Sequence, residues 1–289
     1  MKRNLGALVA MAVCMLLAGC QQIYFRGLNL GAGDGTPMQF DAEHGLALDI
    51  YRPAGPATDA GAPVVVFFYG GSWTSGKREY YRFVGHALAQ RGVLVLIPDY
   101  RKAPEHPFPA FMADGALAVA WAHANAARYG GDPSRLYLMG HSAGAQIAAL
   151  LATDARYLAA HKLRPTDLAG VIGLAGPYDF LPLTDPKVMQ ALGPPQGWAL
   201  TQPINFVSGD EPPFLLIQGD ADRLVDPGNT SRFAARLRAH AGSVTVHVVP
   251  GVGHVGLLNV FYSARLSPVL AQSVQWIQRP KPAALPPGS

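Results

Sequence analysis

The sequence predicts an α/β fold: one mostly parallel central sheet with helices on both faces. Apolar runs of strand length alternate with longer helical stretches from residue 64 to residue 278. Two of these runs, Val64–Tyr69 (VVVFFY) and Val93–Pro98 (VLVLIP), are apolar without alternation. Strands covered on both faces read this way. A third run, Leu136–Met139, breaks at Gly140 and gives way to the small-residue helical stretch Ala143–Ala152. With 289 residues, 49% hydrophobic and 15% charged, the chain can bury a large core and is not disordered.

The N-terminus reads as an address. Met1-Lys-Arg-Asn is basic, and Leu5–Ala18 is apolar but short for a bilayer span. Leu17-Ala18-Gly19-Cys20 is similar to the bacterial lipobox. That resemblance implies a signal peptide over 1–19, acylation of Cys20 and a bacterial envelope location, and Gln21-Gln22, with no aspartate after the cysteine, point to the outer membrane facing the periplasm. Cys14 lies in the leader, so the mature chain has no cysteine for a disulfide, a catalytic thiol or a cysteine metal site. Residues 20–39, polar and glycine-rich, read as a lipidated tether; the GAGDG within them lacks the strand and helix that a dinucleotide loop needs.

The folded domain is expected over residues 40–279. His44–Tyr51 alternates as an antiparallel edge strand ending at Arg52-Pro53, and Val64–Tyr69 follows after a loop. The glycine-rich loop 70–76 leads to a helix over 79–90, then the Val93–Pro98 strand. A proline-punctuated loop, 99–109, precedes an alanine-rich helix over 111–128 that Gly130-Gly-Asp-Pro133 stops. After the Leu136–Met139 strand and its helix comes a strand at 171–175. Regular pattern then fades over 178–213, a proline-rich stretch of the length that forms lids and binding loops. A strand at 214–218, a helix at 227–240, a strand at 244–249 and a helix at 261–278 complete the alternation, and 280–289 reads as a disordered tail.

Chemistry concentrates at the ends of strands. Gly140-His-Ser-Ala-Gly144 is G-x-S-x-G in a strand–turn–helix setting, which makes Ser142 the candidate nucleophile. A serine hydroxyl needs a base held by a third group. Pro250-Gly-Val-Gly-His-Val-Gly256 places His254 among glycines after the last strand. Asp220, Asp222 and Asp226 all lie on the turn after the 214–218 strand, any one of them a turn-former by default. His141 adjoins the nucleophile but points away from its hydroxyl, and His106 is structural in its loop. Gly71-Ser-Trp-Thr-Ser-Gly-Lys77 matches part of a phosphate loop, yet Arg78 stands where Ser or Thr must bind Mg²⁺. Ala145 likewise excludes an S-x-x-K hydrolase.

The whole pattern resembles the esterase/lipase branch of the α/β-hydrolases, hormone-sensitive-lipase-like and kynurenine-formamidase-like. Tyr69-Gly-Gly-Ser-Trp73 is similar to its H-G-G-G and H-G-G-x-W loops, and Asp99-Tyr-Arg-Lys-Ala-Pro-Glu-His-Pro-Phe-Pro109 to its D-Y-R-L-A-P-E-H-x-F-P stretch. Residues 125–133 resemble the segment ahead of its nucleophile strand. The resemblance implies an α/β-hydrolase fold and makes Asp222 the triad acid, within Gln218-Gly-Asp-Ala-Asp222. It implies oxyanion donors at Gly71, Ser72 and Ala143, and departs from the family where Tyr69 and Gln218 replace histidines.

The expected activity is hydrolysis of small carboxylic esters, of short acyl chain, through a Ser142–His254–Asp222 triad, without cofactor or metal. An arylformamide is the rival substrate, and a catalytically silent binding lipoprotein is the reading from another class. A serine peptidase lacks an obvious gating domain. The net charge of +4 falls to +2 without the leader, and no basic cluster follows one face, which argues against nucleic acid as a partner. Oligomeric state is left open.

Overall fold

The computed structural model describes residues 23–55, 61–262 and 267–279. The expected signal peptide, Cys20 and the 280–289 tail lie outside the described residues.

Eight strands form one sheet: β1 (Thr36–Asp41), β2 (Leu46–Tyr51), β3 (Ala62–Phe68), β4 (Leu94–Pro98), β5 (Gly131–His141), β6 (Gly170–Leu174), β7 (Phe214–Gly219) and β8 (Val244–Val249). Their spatial order is β1-β2-β4-β3-β5-β6-β7-β8. Every pair from β4 to β8 is parallel, whereas β2 runs antiparallel to both β1 and β4. This is the predicted α/β architecture. Val64 to Phe68 are wholly buried, as continuous apolar strands in a covered sheet must be.

The helices are α1 (residues 23–28), α2 (Arg82–Ala89), α3 (Ala110–Asn125), α4 (Ala143–Thr153), α5 (Ala155–Ala159), α6 (Pro186–Leu192), α7 (Gly228–Ala239) and α8 (Ser267–Gln278). α3 and α4 pack together on β3 and β5, and α7 lies on β7 and β8. Phe67 of β3 meets Phe261 edge-on on the face that α2 covers, with Phe83 of α2 against the same ring. α4 is buried on every side, consistent with its apolar composition all round.

Four sequence expectations are corrected. Residues 44–51 are not the sheet edge: β1 is, and Pro37 sits there at no cost because an edge strand tolerates a missing donor. The tether reading of 20–39 fails over its described part. Phe25 and Leu28 of α1 are buried in the core, and the packed domain starts well before residue 40. The helix predicted over 111–128 ends at Asn125 and tightens to a 3₁₀ turn at Ala126–Tyr129. The one predicted over 261–278 is a 3₁₀ segment, Val255–Phe261, followed by α8.

The proline-punctuated loop after β4 is held by a buried carboxylate. Asp114 of α3 accepts the Arg101 backbone N–H at 2.8 Å and the guanidinium at 2.7 and 3.0 Å. Its side chain is nearly inaccessible, so deleting it strands the arginine's donors. Asp114→Ala is expected to lower the unfolding free energy by about 2–3 kcal/mol. Urea unfolding checks this, and an unchanged midpoint would show that the loop is held some other way.

Candidate active site

The geometry begins with two glycines. A β-carbon on Gly140 would lie 2.2 Å from the Gly144 carbonyl oxygen, and one on Gly144 would lie 2.0 Å from that of Phe68. Neither position admits a side chain, because β3, β5 and α4 meet there backbone to backbone. The turn forces Ser142 to φ 56° and ψ −125°, a conformation rarely adopted by a non-glycine residue. Its N–H is held by the Leu174 carbonyl at 2.9 Å. Ser142 thus stands at the C-terminal end of the sheet, ahead of the first turn of α4.

His254 and Asp222 arrive from loops after β8 and β7. His254 Nε2 lies 2.8 Å from Ser142 Oγ, and its Nδ1 lies 2.8 Å from Asp222 Oδ2. An ionised Asp222 accepts a hydrogen bond from Nδ1–H, which leaves the Nε2 lone pair facing the serine hydroxyl. Burial alone raises the Asp222 pKa, but the N–H groups of Val225 and Leu224 and the His254 ring outweigh it and hold the carboxyl below its ordinary value. Those N–H groups reach Oδ1 at 3.0 and 2.9 Å. The other two aspartates do different work. Asp220 accepts the Gly251 N–H at 2.6 Å and ties the acid turn to the histidine loop. Asp226 accepts from Gly228 N–H at the start of α7.

His141 is buried beneath the elbow, its ring 4.8 Å from that of His254. Its Nε2 meets the His254 carbonyl at 3.1 Å, a contact that requires Nε2–H as donor. Burial, with the nearby His254, depresses its pKa to about 3, so it stays neutral and braces the loop without taking the serine's proton. His106 is exposed on its loop.

The glycine-rich loop 70–76 closes over the serine. A β-carbon on Gly70 would sit 3.0 Å from that of Ser142, and one on Gly71 would strike the Ser75 carbonyl at 2.3 Å. Gly71, Ser72 and Trp73 all have positive φ, at 135°, 52° and 59°. The N–H groups of Gly71 and Ser72 have no hydrogen-bond acceptor among the described residues, and that of Ala143, first in α4, has none within its helix. Tyr69 stands in for the family's histidine by stacking on Tyr100 at 4.6 Å and donating its hydroxyl to Asp99 at 2.9 Å.

A family model, BD-FAE, matches residues 48–237. The chain belongs to the BD-FAE family. It is a member of the esterase/lipase branch of the α/β-hydrolases. Esterase LipC of Mycobacterium tuberculosis is 33% identical over 226 residues, covering 72% of this chain and 56% of that protein. Esterase LipQ of the same organism is 31% identical over 227 residues, covering 72% of the chain and 53% of that protein. The chain therefore spans about half the length of the relatives it matches. A hyperthermophilic esterase from the archaeon Pyrobaculum calidifontis shares the fold, with TM-score 0.77 at 22% identity over 91% of this chain and 92% of that one.

The BD-FAE match takes in Ser142 and Asp222 but stops short of His254 and begins after α1. Two cavities flank the serine. One, about 580 Å³, is lined by Gly70, Gly71, His254 and Leu258, with Tyr24 and Phe25 of α1 as its outer wall. The other, about 430 Å³, is lined by Trp73 and Ala143, by Phe180 and Asp185 of the 178–213 stretch, and by Asp226 and Arg232. Ser72, Ser142, Asp185, Val188 and Leu224 border both.

Sequence reasoning missed three contributors. Gln218, noted only as a departure, donates to Asp222 Oδ2 at 3.1 Å and accepts from Thr230 Oγ1 at 3.0 Å. Gln146, the lone amide in apolar α4, accepts from Trp73 Nε1 at 3.0 Å and donates to the Thr201 carbonyl at 2.8 Å. An amide in a fully buried helix was the available signal. α1, the third, gave none. Gly144→Ala is expected to destabilise the fold by ~3 kcal/mol or to prevent its accumulation. Thermal unfolding of the purified variant checks this, and a wild-type midpoint would refute the backbone contact.

Proposed function

We propose that this chain is a carboxylic ester hydrolase working through an acyl-enzyme on Ser142. The observation that carries the proposal is the hydroxyl–imidazole–carboxylate line, 2.8 Å at each link, at the border of two cavities. In this reading Ser142 Oγ attacks the ester carbonyl carbon while His254 Nε2 takes its proton. Asp222 holds the ring and stabilises the imidazolium. The N–H groups of Gly71, Ser72 and Ala143 donate to the oxyanion, each worth roughly 3 kcal/mol in the transition state. The imidazolium then protonates the departing alcohol oxygen. Water, deprotonated by His254, attacks the acyl carbonyl and releases the acid.

The apolar wall of Phe25, Tyr81 and Leu258 suits a short hydrocarbon acyl group, and the charged cavity with Asp226 and Arg232 suits the alcohol side. The lipobox-like Leu17–Cys20 supports a lipid anchor on Cys20 and placement on the periplasmic side of the outer membrane. The aligned residues, set at an open cavity, favour an enzyme over a silent binding protein.

Ser142→Ala is expected to abolish p-nitrophenyl acetate hydrolysis and fluorophosphonate labelling while leaving the circular dichroism spectrum unchanged. Undiminished turnover would retire the assignment. Parallel assays on formylkynurenine separate an ester from an arylformamide preference. Asp222→Asn is expected to lower kcat by about 10⁴-fold with KM little changed, because the histidine tautomer reverses. A loss confined to KM would remove Asp222 from the triad.

A further inference from the structure

α1 is apolar on both of its faces. Inward, Phe25 stacks on Tyr80 with ring centroids 5.2 Å apart, and Leu28 is buried. Asn29, at its C-terminal turn, donates to the carbonyls of Glu79 and Tyr80 at 3.2 and 3.1 Å and accepts the Phe83 N–H at 3.0 Å. The helix is therefore bolted to the domain. Outward, Ile23 at the start of α1 and Leu30 in the turn that ends it are 73% and 70% exposed. Arg26, between them in the sequence, is also exposed. A helix with exposed apolar ends, one cation and a half-exposed tyrosine has the composition of an interfacial segment.

What lies against these residues follows from the chain just upstream. Ile23 is three residues from Cys20, and three peptide links reach at most ~11 Å. Acyl chains on Cys20 would hold the helix that close to a bilayer. Among the described residues no helix is long and apolar enough to cross a membrane; α1, six residues long, rises only about 9 Å. The same helix walls the larger cavity through Tyr24 and Phe25. Tyr24 donates its hydroxyl to Asn259 Oδ1 at 3.3 Å, on the 3₁₀ segment that follows His254. Beside it the rim carries Leu224, 70% exposed, and Val255.

We propose that α1 seats the domain on the lipid surface through Ile23, Arg26 and Leu30, so that the catalytic cavity opens at the bilayer and receives esters dissolved in it. The inference rests on the reading of the chain as a lipid-anchored esterase, and it names the substrate class of that site: esters with a hydrocarbon part that partitions into lipid. The soluble face of the same site is the small ester of the standard assay, which reaches the serine without passing through lipid.

The test uses the full chain with its own leader, made in a bacterium that processes lipoproteins and reconstituted into phosphatidylcholine–phosphatidylglycerol vesicles. With Cys20 acylated, Leu30→Cys supplies a single free thiol for an environment-sensitive fluorophore. Its emission is expected to shift to the blue and to be quenched by nitroxide lipids, whereas the same label at Ala127→Cys is not. Equal response at the two sites overturns the seat. The double variant Ile23→Glu, Leu30→Glu is expected to lose about fivefold or more in hydrolysis of a vesicle-dissolved ester while keeping its p-nitrophenyl acetate rate. Loss on both substrates or on neither also overturns it. The mass of the N-terminal peptide and the wild-type rate on the soluble ester report separately on the anchor and on the esterase chemistry. An unacylated Cys20 overturns the seat together with the anchor, and a wild type without soluble-ester activity condemns the esterase reading alone.

Discussion

The approach of three backbones around Ser142 is the constraint on which the site depends. Gly144 touches the end of β3 and Gly140 touches the first turn of α4, at separations where one methyl group would overlap a carbonyl oxygen. Because β3 runs straight on into the 70–76 loop, the same contact that forces the serine into its strained turn also brings that loop to within van der Waals distance of it. Ser142 and the backbone N–H groups of the 70–76 loop are thus positioned by one packing event. Packed backbone has few alternative arrangements, so the strain at Ser142 is held by its surroundings and not by any single hydrogen bond.

Around that contact, polar side chains set orientation. Gln218 joins α7 to the Asp222 carboxylate, Asp220 joins the acid turn to the histidine loop, and His141 holds the His254 carbonyl. Gln146 links the Trp73 indole on the oxyanion loop to Thr201 in the 178–213 stretch. Each tie connects two loops that the sheet brings near but does not align. Buried polar groups left without such partners cost more than a made hydrogen bond contributes, which makes these ties selective for one arrangement.

Residues governed by backbone geometry were legible in the sequence. The glycines flanking Ser142 mark a turn that no other residue fits, those around His254 mark a loop after the last strand, and the apolar runs of β3 and β4 announce burial on both faces. The triad acid was less legible, because three aspartates share one turn and only the resemblance separated them; in the structure only Asp222 has a carboxylate oxygen on His254 Nδ1. Gln218 and Gln146 act through partners distant in sequence, 230 for the first and 73 and 201 for the second, and carry no local spacing to betray them. β1 was hidden by Pro37 and by half-exposed alternation, the ordinary appearance of an edge strand.

α1 was invisible for a different reason. Its residues are too few to show a period, and glycine-rich sequence follows at once, so composition alone reads as linker. Only tertiary contact turns it into a wall: Phe25 finds Tyr80 and Tyr81 on the segment leading into α2, and Asn29 satisfies three backbone groups there. The consequence is topological. The larger cavity takes its walls from residues 24–25, 70–75, 185–188 and 254–258, so the first described helix and one of the last loops border one space with the nucleophile between them. The packing of α1 against Tyr80, Tyr81 and Phe83 therefore fixes one wall of the cavity that Ser142 borders.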